Sequence, residues 1–328
     1  MMKYISLILL LVSSTLTAQG NKVKNLLDRP KITPKPYQWT TNHMQVGVRW
    51  QPFIGRPKNN AADALRPVIS QFSSYVQFWV SWASMEPTQA HCDYKNKPSA
   101  GLQAIEKAVG HCNKLGLKVE FVFFHAPAWA TIEGKSGGHR PKPGLYEKYV
   151  RRIATHFKGR VHAYQLAHEA NLQGMMKGAD MDFYINDVFI NGAKTVRSIY
   201  DAAPRTPVLI STSGMSPCEG CGTTMGLGSK GGKAVNTFYD MLTATPELMK
   251  SVDALNLNIS DQNDGYGNMD GHYVTSCWGN YDLVRGKLDS CGYASRGILA
   301  SESWISWDGS GQAVDVNGDG VKNEKDAY

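Results

Sequence analysis

A layered α/β fold built from repeated strand–helix units is what this 328-residue sequence predicts. Seven strand-like runs follow residue 43, stretches of helical period lie between most of them, and the later runs begin at nearly constant intervals. The runs are MQVGVRW from Met44, YVQFWVSW from Tyr75, LKVEFVFF from Leu117, VHAYQLA from Val161, PVLIST from Pro207, VDALNLNI from Val252 and GILAS from Gly297. From the third run to the seventh the starts step by 44, 46, 45 and 45 residues. A strand, a helix and their loops fill such an interval, so the spacing reports one βα unit repeated.

The strands are nearly continuous in apolar residues, as parallel strands are when helices cover one face and packed side chains the other. In GLQAIEKAVGHCNKLG, residues Leu102, Ile105, Val109, Cys112 and Leu115 recur at three- and four-residue intervals, and Gly116 stands where a helix C-cap belongs. In LYEKYVRRIATHF, Tyr146, Val150, Ile153 and Phe157 form a second stripe. Repeats of this kind close into a (β/α)8 TIM barrel, with loops after the strands carrying the chemistry. Only 26 residues follow Glu302, too few for a seventh helix, an eighth strand and an eighth helix. The expectation is therefore a barrel incomplete in this chain, its eighth strand missing and a seam left open.

Residues 1–18, MMKYISLILLLVSSTLTA, have one Lys, an apolar stretch from Ile5 to Val12 and small or polar residues before Gln19. They predict a secretory signal peptide, since the apolar run falls far short of the roughly 20 residues a membrane span requires. Residues 19–43 form a Lys- and Pro-rich N-terminal extension, and residues 44–328 the barrel. No other long apolar run occurs, so the mature protein is expected to be secreted or periplasmic, with no membrane association after signal removal.

Six cysteines allow 15 pairings. Cys92 with Cys112 and Cys277 with Cys291 could close loops, and Cys218 and Cys221 lie in SPCEGCG, where a zinc site is the weaker alternative for want of a second ligand pair. The balance of 35 Lys and Arg against 28 Asp and Glu gives +7. No basic stripe is interleaved with aromatics, which argues against nucleic acid. The charge fits solubility or an anionic polysaccharide.

Glu169 in YQLAHEAN and Glu302 in GILASESW each cap a strand-like run, 133 residues apart, the length of three βα units. Both then face the mouth of the barrel. Two carboxylic acids across one cleft are what a retaining glycosidase uses, one protonating the leaving oxygen and the other attacking the sugar carbon, at about 5–5.5 Å separation. On these residues, with SWASMEP, HAPAWA and YEKYVRRIATHFKGRVHAYQLAHEANL, most of the mature chain resembles the clan A retaining glycoside hydrolases, closest in flavour to the β-xylosidase and α-L-iduronidase type. The resemblance implies Glu169 as acid/base at the end of strand four and Glu302 as nucleophile at the end of strand seven.

The residue before the acid/base departs from the clan. His168 stands where Asn usually bonds the sugar 2-hydroxyl. It could donate a similar bond, titrate beside the acid, or simply pack at a strand end. Trp82, Trp129, Tyr266 and Trp304 are candidate sugar platforms and His125 a candidate hydroxyl partner, although for any one aromatic a core position is at least as good a reading. Glu86 in SMEP reads as a loop residue held by its backbone neighbours.

Near the end, DVNGDGVKNEKD sets Asp315, Asn317, Asp319, the Val321 carbonyl and Asp326 at EF-hand ligand positions, with Gly320 at the turn. The loop at 315–326 resembles those of dockerin modules, but one repeat does not make a dockerin, so scaffold binding is not expected. A structural Ca2+ steadying the backbone after Glu302 is, with a surface turn as the alternative. No cofactor for catalysis is expected.

The function that follows is a secreted glycosidase cleaving oligo- or polysaccharides with retention through a glycosyl-enzyme. The alternative is a catalytically silent, glycan-binding barrel. A metal-dependent hydrolase would need His168, Glu169 and His125 around one cation, and no HExxH-like spacing supports it.

Overall fold

The computed structural model describes residues 47–49, 75–170, 175, 177–214, 239–260 and 279–304, with backbone alone in 47–49, 259–260, 279–283 and 301–304. The signal and extension regions, Tyr266, Cys218, Cys221, Cys277, the calcium loop and everything after Trp304 lie outside these residues, and with them the expected missing eighth strand.

Among the described residues seven strands form one sheet in sequence order: β1 (Gly47–Arg49), β2 (Tyr75–Ser81), β3 (Lys118–Phe124), β4 (Ala163–Gln165), β5 (Leu209–Ser211), β6 (Ala254–Ser260) and β7 (Gly297–Trp304). Every neighbouring pair is parallel. Helices stand between strands at Ala100–Lys114, Leu145–Phe157, Asn191–Tyr200, Pro246–Ser251 and Gly279–Ser290. Parallel neighbours in unbroken sequence order, joined through helices, are the winding of a (β/α)8 barrel, in which all strand C-termini gather at one end.

The helices form where the stripes put them. Helix Ala100–Lys114 starts at Ser99, whose hydroxyl accepts from Leu102 N–H, and ends at Gly116 in the left-handed conformation, φ 71°. Leu102, Ile105, Val109 and Cys112 are buried beneath it. Leu115, counted in the stripe from sequence, is instead 39% exposed, because it is the residue at which the helix stops. Tyr146, Val150, Ile153 and Phe157 bury their side of helix Leu145–Phe157, and Phe121 meets Phe157 edge to face at 5.0 Å. Each such buried aromatic removes enough apolar surface from water to contribute about 1.5–3 kcal/mol. Ahead of helix Asn191–Tyr200 the backbone passes through a π-helical stretch, Tyr184–Ile190, which no sequence period announced.

The inside of the sheet is not wholly apolar. Buried Gln77, Glu120, Gln165, Ser211 and Asn256 form a polar layer. Asn256 Nδ2 of β6 donates to Gln165 Oε1 of β4 at 2.8 Å, across the intervening β5, a contact that a curved sheet permits. Gln77 Nε2 donates to Glu120 Oε2 at 3.0 Å, and Glu120 Oε1 is buried with no partner among the described residues. An ionised carboxylate is costly there, and burial pushes the Glu120 pKa up to about 7 against the opposing bond from Gln77.

A pH dependence follows. The folded state holds the Glu120 proton more tightly than the unfolded chain, so this group's stabilisation is complete below pH of about 4.5 and is lost as pH rises to about 7. At about 1.4 kcal/mol per pKa unit the loss is on the order of 3 kcal/mol. Urea unfolding across that range should slope downward in the wild type and more weakly in Glu120→Gln; parallel curves would refute the buried charge cost.

Candidate active site

Glu169 and His125 sit just beyond the C-terminal ends of β4 and β3. Both take positive φ, 39° for Glu169 and 48° for His125, in the region L side chains rarely enter. Such backbone costs about 1–3 kcal/mol per residue and is kept where surrounding contacts over-determine it. The contacts are present here. Ala83 N–H donates to the His125 carbonyl at 2.9 Å, and Ala170 N–H to Ser213 Oγ at 3.0 Å.

Glu169 is 8% exposed and receives a hydrogen bond from Asn258 Nδ2 on Oε1 at 3.2 Å. Asn258 is in turn the register partner of Glu302 across β6 and β7, just after a bulge that passes over Ser301. One asparagine thus bonds the first candidate carboxylic acid and faces the backbone of the second. Gly214 makes room for it, since a Cβ there would stand 2.1 Å from Asn258 Oδ1. Asn258 was not singled out from sequence; NLNIS reads as one more apolar strand, and its pairing to Glu169 spans 89 residues.

His168 is buried, with 1% of its side chain exposed. Its Nε2 lies 3.4 Å from Glu169 Oε2, and its ring packs on Trp79 at 4.1 Å between centroids. His168 thus lies beside the candidate acid, packed against Trp79. Trp79, half-buried, also meets Phe124 edge to face at 5.5 Å. It was missed because it falls inside a strand run instead of after it. His125 is half-buried against Phe124, and burial lowers its pKa, favouring the neutral ring.

The aromatics divide. Trp82 is 2% exposed, stacked on Tyr149 at 4.7 Å, and donates from Nε1 to Glu86 Oε2 at 2.8 Å. It is a core residue, so the sugar-platform expectation for Trp82 is corrected. Trp129 stays half-buried, its Nε1 donating to the Glu86 carbonyl at 2.9 Å. Trp304 ends β7, where only backbone is described.

Glu86 is also corrected. It is fully buried and is the hub of the loops after β2 and β3: Tyr94 Oη donates to Oε1 at 2.6 Å, and Arg152 reaches both oxygens at 2.7 and 2.6 Å. The Cys92 thiol leans on the same carboxylate at 3.5 Å, and burial, followed by Glu86, pushes its pKa up to about 11. Among the described residues Cys92 and Cys291 carry free thiols, against the expected Cys92–Cys112 bridge and a bridge at Cys291, while Cys277 lies outside the described residues. Cys92 faces Glu86, Cys112 is buried in a helix face and Cys291 is exposed. Among the described residues no three His, Cys, Asp or Glu side chains could hold a metal ion, the trio His125, His168 and Glu169 included.

No protein-family model matches the chain, and no curated protein sequence matches it. Its backbone is similar to those of (β/α)8 glycoside hydrolases, the class of fold that the winding already indicates. A family 39 glycoside hydrolase from Bacteroides cellulosilyticus WH2 superposes with TM-score 0.50 at 15% identity, over 79% of this chain and 48% of that one. Xylanase 10B from Thermotoga maritima gives 0.50 at 16%, over 79% and 70%, and SrfJ from Salmonella typhimurium 0.53 at 10%, over 80% and 57%. The chain thus spans about half the length of the family 39 protein. At these identities the likeness is one of fold.

Removing one partner of a buried, hydrogen-bonded ion pair costs about 3–5 kcal/mol. Glu86→Ala should lower stability by about that amount in urea unfolding; a loss below about 1 kcal/mol, the worth of an ordinary surface pair, would contradict the hub.

Proposed function

We propose that the chain is a retaining glycoside hydrolase acting on an oligo- or polysaccharide. Glu169 gives its proton to the glycosidic oxygen while the Glu302 carboxylate attacks the anomeric carbon; the leaving group departs neutral and a glycosyl ester remains. Glu169, now ionised, takes a proton from water as the water displaces Glu302, which restores both groups. The observation that carries this reading is the link through Asn258, hydrogen-bonded to Glu169 and register partner of Glu302. The fold shared with a family 39 glycoside hydrolase and a xylanase supports it.

A second reading, a catalytically silent barrel that binds glycans, is favoured by His168. Its Nε2 stands 3.4 Å from Glu169 Oε2, so the ring engages an oxygen that the acid role needs for the glycosidic oxygen. The choice of substrates to try first comes from two facts. The Thermotoga neighbour is a xylanase, and this chain carries +7, which suits an anionic polysaccharide. Secretion or export to the periplasm is proposed from residues 1–18, and a structural Ca2+ from the ligand spacing of 315–326.

Three expected outcomes test these proposals. Glu302→Gln should abolish hydrolysis of aryl glycosides, whereas Glu169→Ala should retain turnover of substrates with good leaving groups and gain rate with azide; full activity of either variant on a poor leaving group refutes its assigned role. Excess chelator should lower the melting temperature and added Ca2+ restore it, and an unmoved transition removes the calcium proposal.

A further inference from the structure

The polar layer inside the sheet reaches the candidate acid through one unbroken series of contacts. Glu120 of β3 and Gln77 of β2 are register partners, and Gln77 Nε2 donates to Glu120 Oε2 at 3.0 Å. The other end of the same amide, Gln77 Oε1, accepts from Trp79 Nε1 at 3.3 Å. Trp79 lies two residues further along β2, so it shares a face with Gln77 and stands nearer the strand's C-terminal end. Its ring covers His168 at 4.1 Å, and His168 Nε2 is 3.4 Å from Glu169 Oε2.

The direction of these bonds is set from the Glu120 end. A carboxylate accepts and cannot donate, so it takes the NH2 group of Gln77 and leaves the amide oxygen for the indole N–H. Reverse the amide and both contacts fail: oxygen would face oxygen at one end, and two donors would face each other at the other. A protonated Glu120 still accepts through Oε2, so the arrangement survives its titration. Glu120 is 7% exposed, and an ionised carboxyl in such a place costs the fold stability.

We propose that Glu120 is a positioning residue for the candidate acid Glu169, acting through the Gln77 amide, the Trp79 indole and the His168 ring. This rests on the glycosidase reading only for its kinetic consequence; the orientation of Trp79 and His168 is a property of the folded chain. Glu120 holds the amide, the amide holds the indole, and the indole holds the imidazole at its distance from Glu169. The device refines the transfer of a proton and does not grip sugar, so its loss falls on turnover.

The test uses Glu120→Met and Glu120→Gln in the whole chain. Methionine cannot take the Gln77 bond; glutamine can, through its side-chain oxygen. Glu120→Met should unfold at the same or a higher urea concentration at pH 8, yet lose about tenfold in kcat on a poor leaving group with KM held within about twofold, as a small misplacement of a reacting group does. Glu120→Gln should restore kcat to within about threefold of the wild type. Independently of activity, the Trp79 indole proton should exchange with solvent faster and the His168 ring nitrogens shift in NMR spectra of Glu120→Met, and both should return in Glu120→Gln. An unchanged Trp79 exchange rate in Glu120→Met overturns the proposal, as does an effect on KM alone or equal loss in both variants. A wild type inactive on every glycoside removes the glycosidase reading, and the two NMR readouts then decide the positioning proposal by themselves.

Discussion

Parallel pairing in sequence order is the constraint on which the remaining structure depends. It brings the C-terminal ends of β2 to β7 to one side, so residues far apart in sequence end in one place. The register of β6 on β7 does the finer work. A bulge after Leu257 passes over Ser301 and sets Asn258 opposite Glu302, and the Asn258 amide reaches Glu169. Bulges of this kind commonly re-aim a side chain near a site. Glu169 has a positive φ at this place, and Gly214 leaves Asn258 the room a Cβ would take.

Two buried carboxyl groups outside the candidate pair are handled in opposite ways. Glu86 is surrounded by donors from three segments, and each of its oxygens is met by Arg152. That pairing welds the loop after β2 to the helix after β3 and, through the Glu86 carbonyl, to Trp129. Among the described residues Glu120 has one donor and one oxygen without a partner, and burial raises its pKa instead. The first is a structural tie among loops. The second is an unfavourable placement within the sheet, directly in line with the contacts that end at Glu169.

How much of this was legible follows from the range of each interaction. Strand runs and helix stripes are local patterns, and all seven strands lie where the apolar runs lie. Gly116 reads as a helix stop and is one. Glu169 and Glu302 could be picked out because a carboxyl group after an apolar run is visible locally. The partners were not visible. Asn258, Gln77 and Trp79 sit inside strand runs, where sequence gives the run but not which residues turn to the interior. Glu86 looked like a loop residue because Arg152, its main partner, is 66 residues away and is adjacent to Arg151, which pairs with Glu147 on the surface instead. Trp82 looked like a cleft aromatic for the converse reason: it follows a strand, yet Tyr149 stacks on its ring and Glu86 takes its N–H.

The central claim is that the two carboxylic acids act on one sugar from opposite sides by double displacement. The configuration of the first-formed product tests it most directly, followed by proton NMR during hydrolysis of an aryl glycoside. The account predicts that the anomer of the substrate appears first and then equilibrates. First appearance of the opposite anomer would contradict it, because a single displacement by water leaves no attacking role for Glu302.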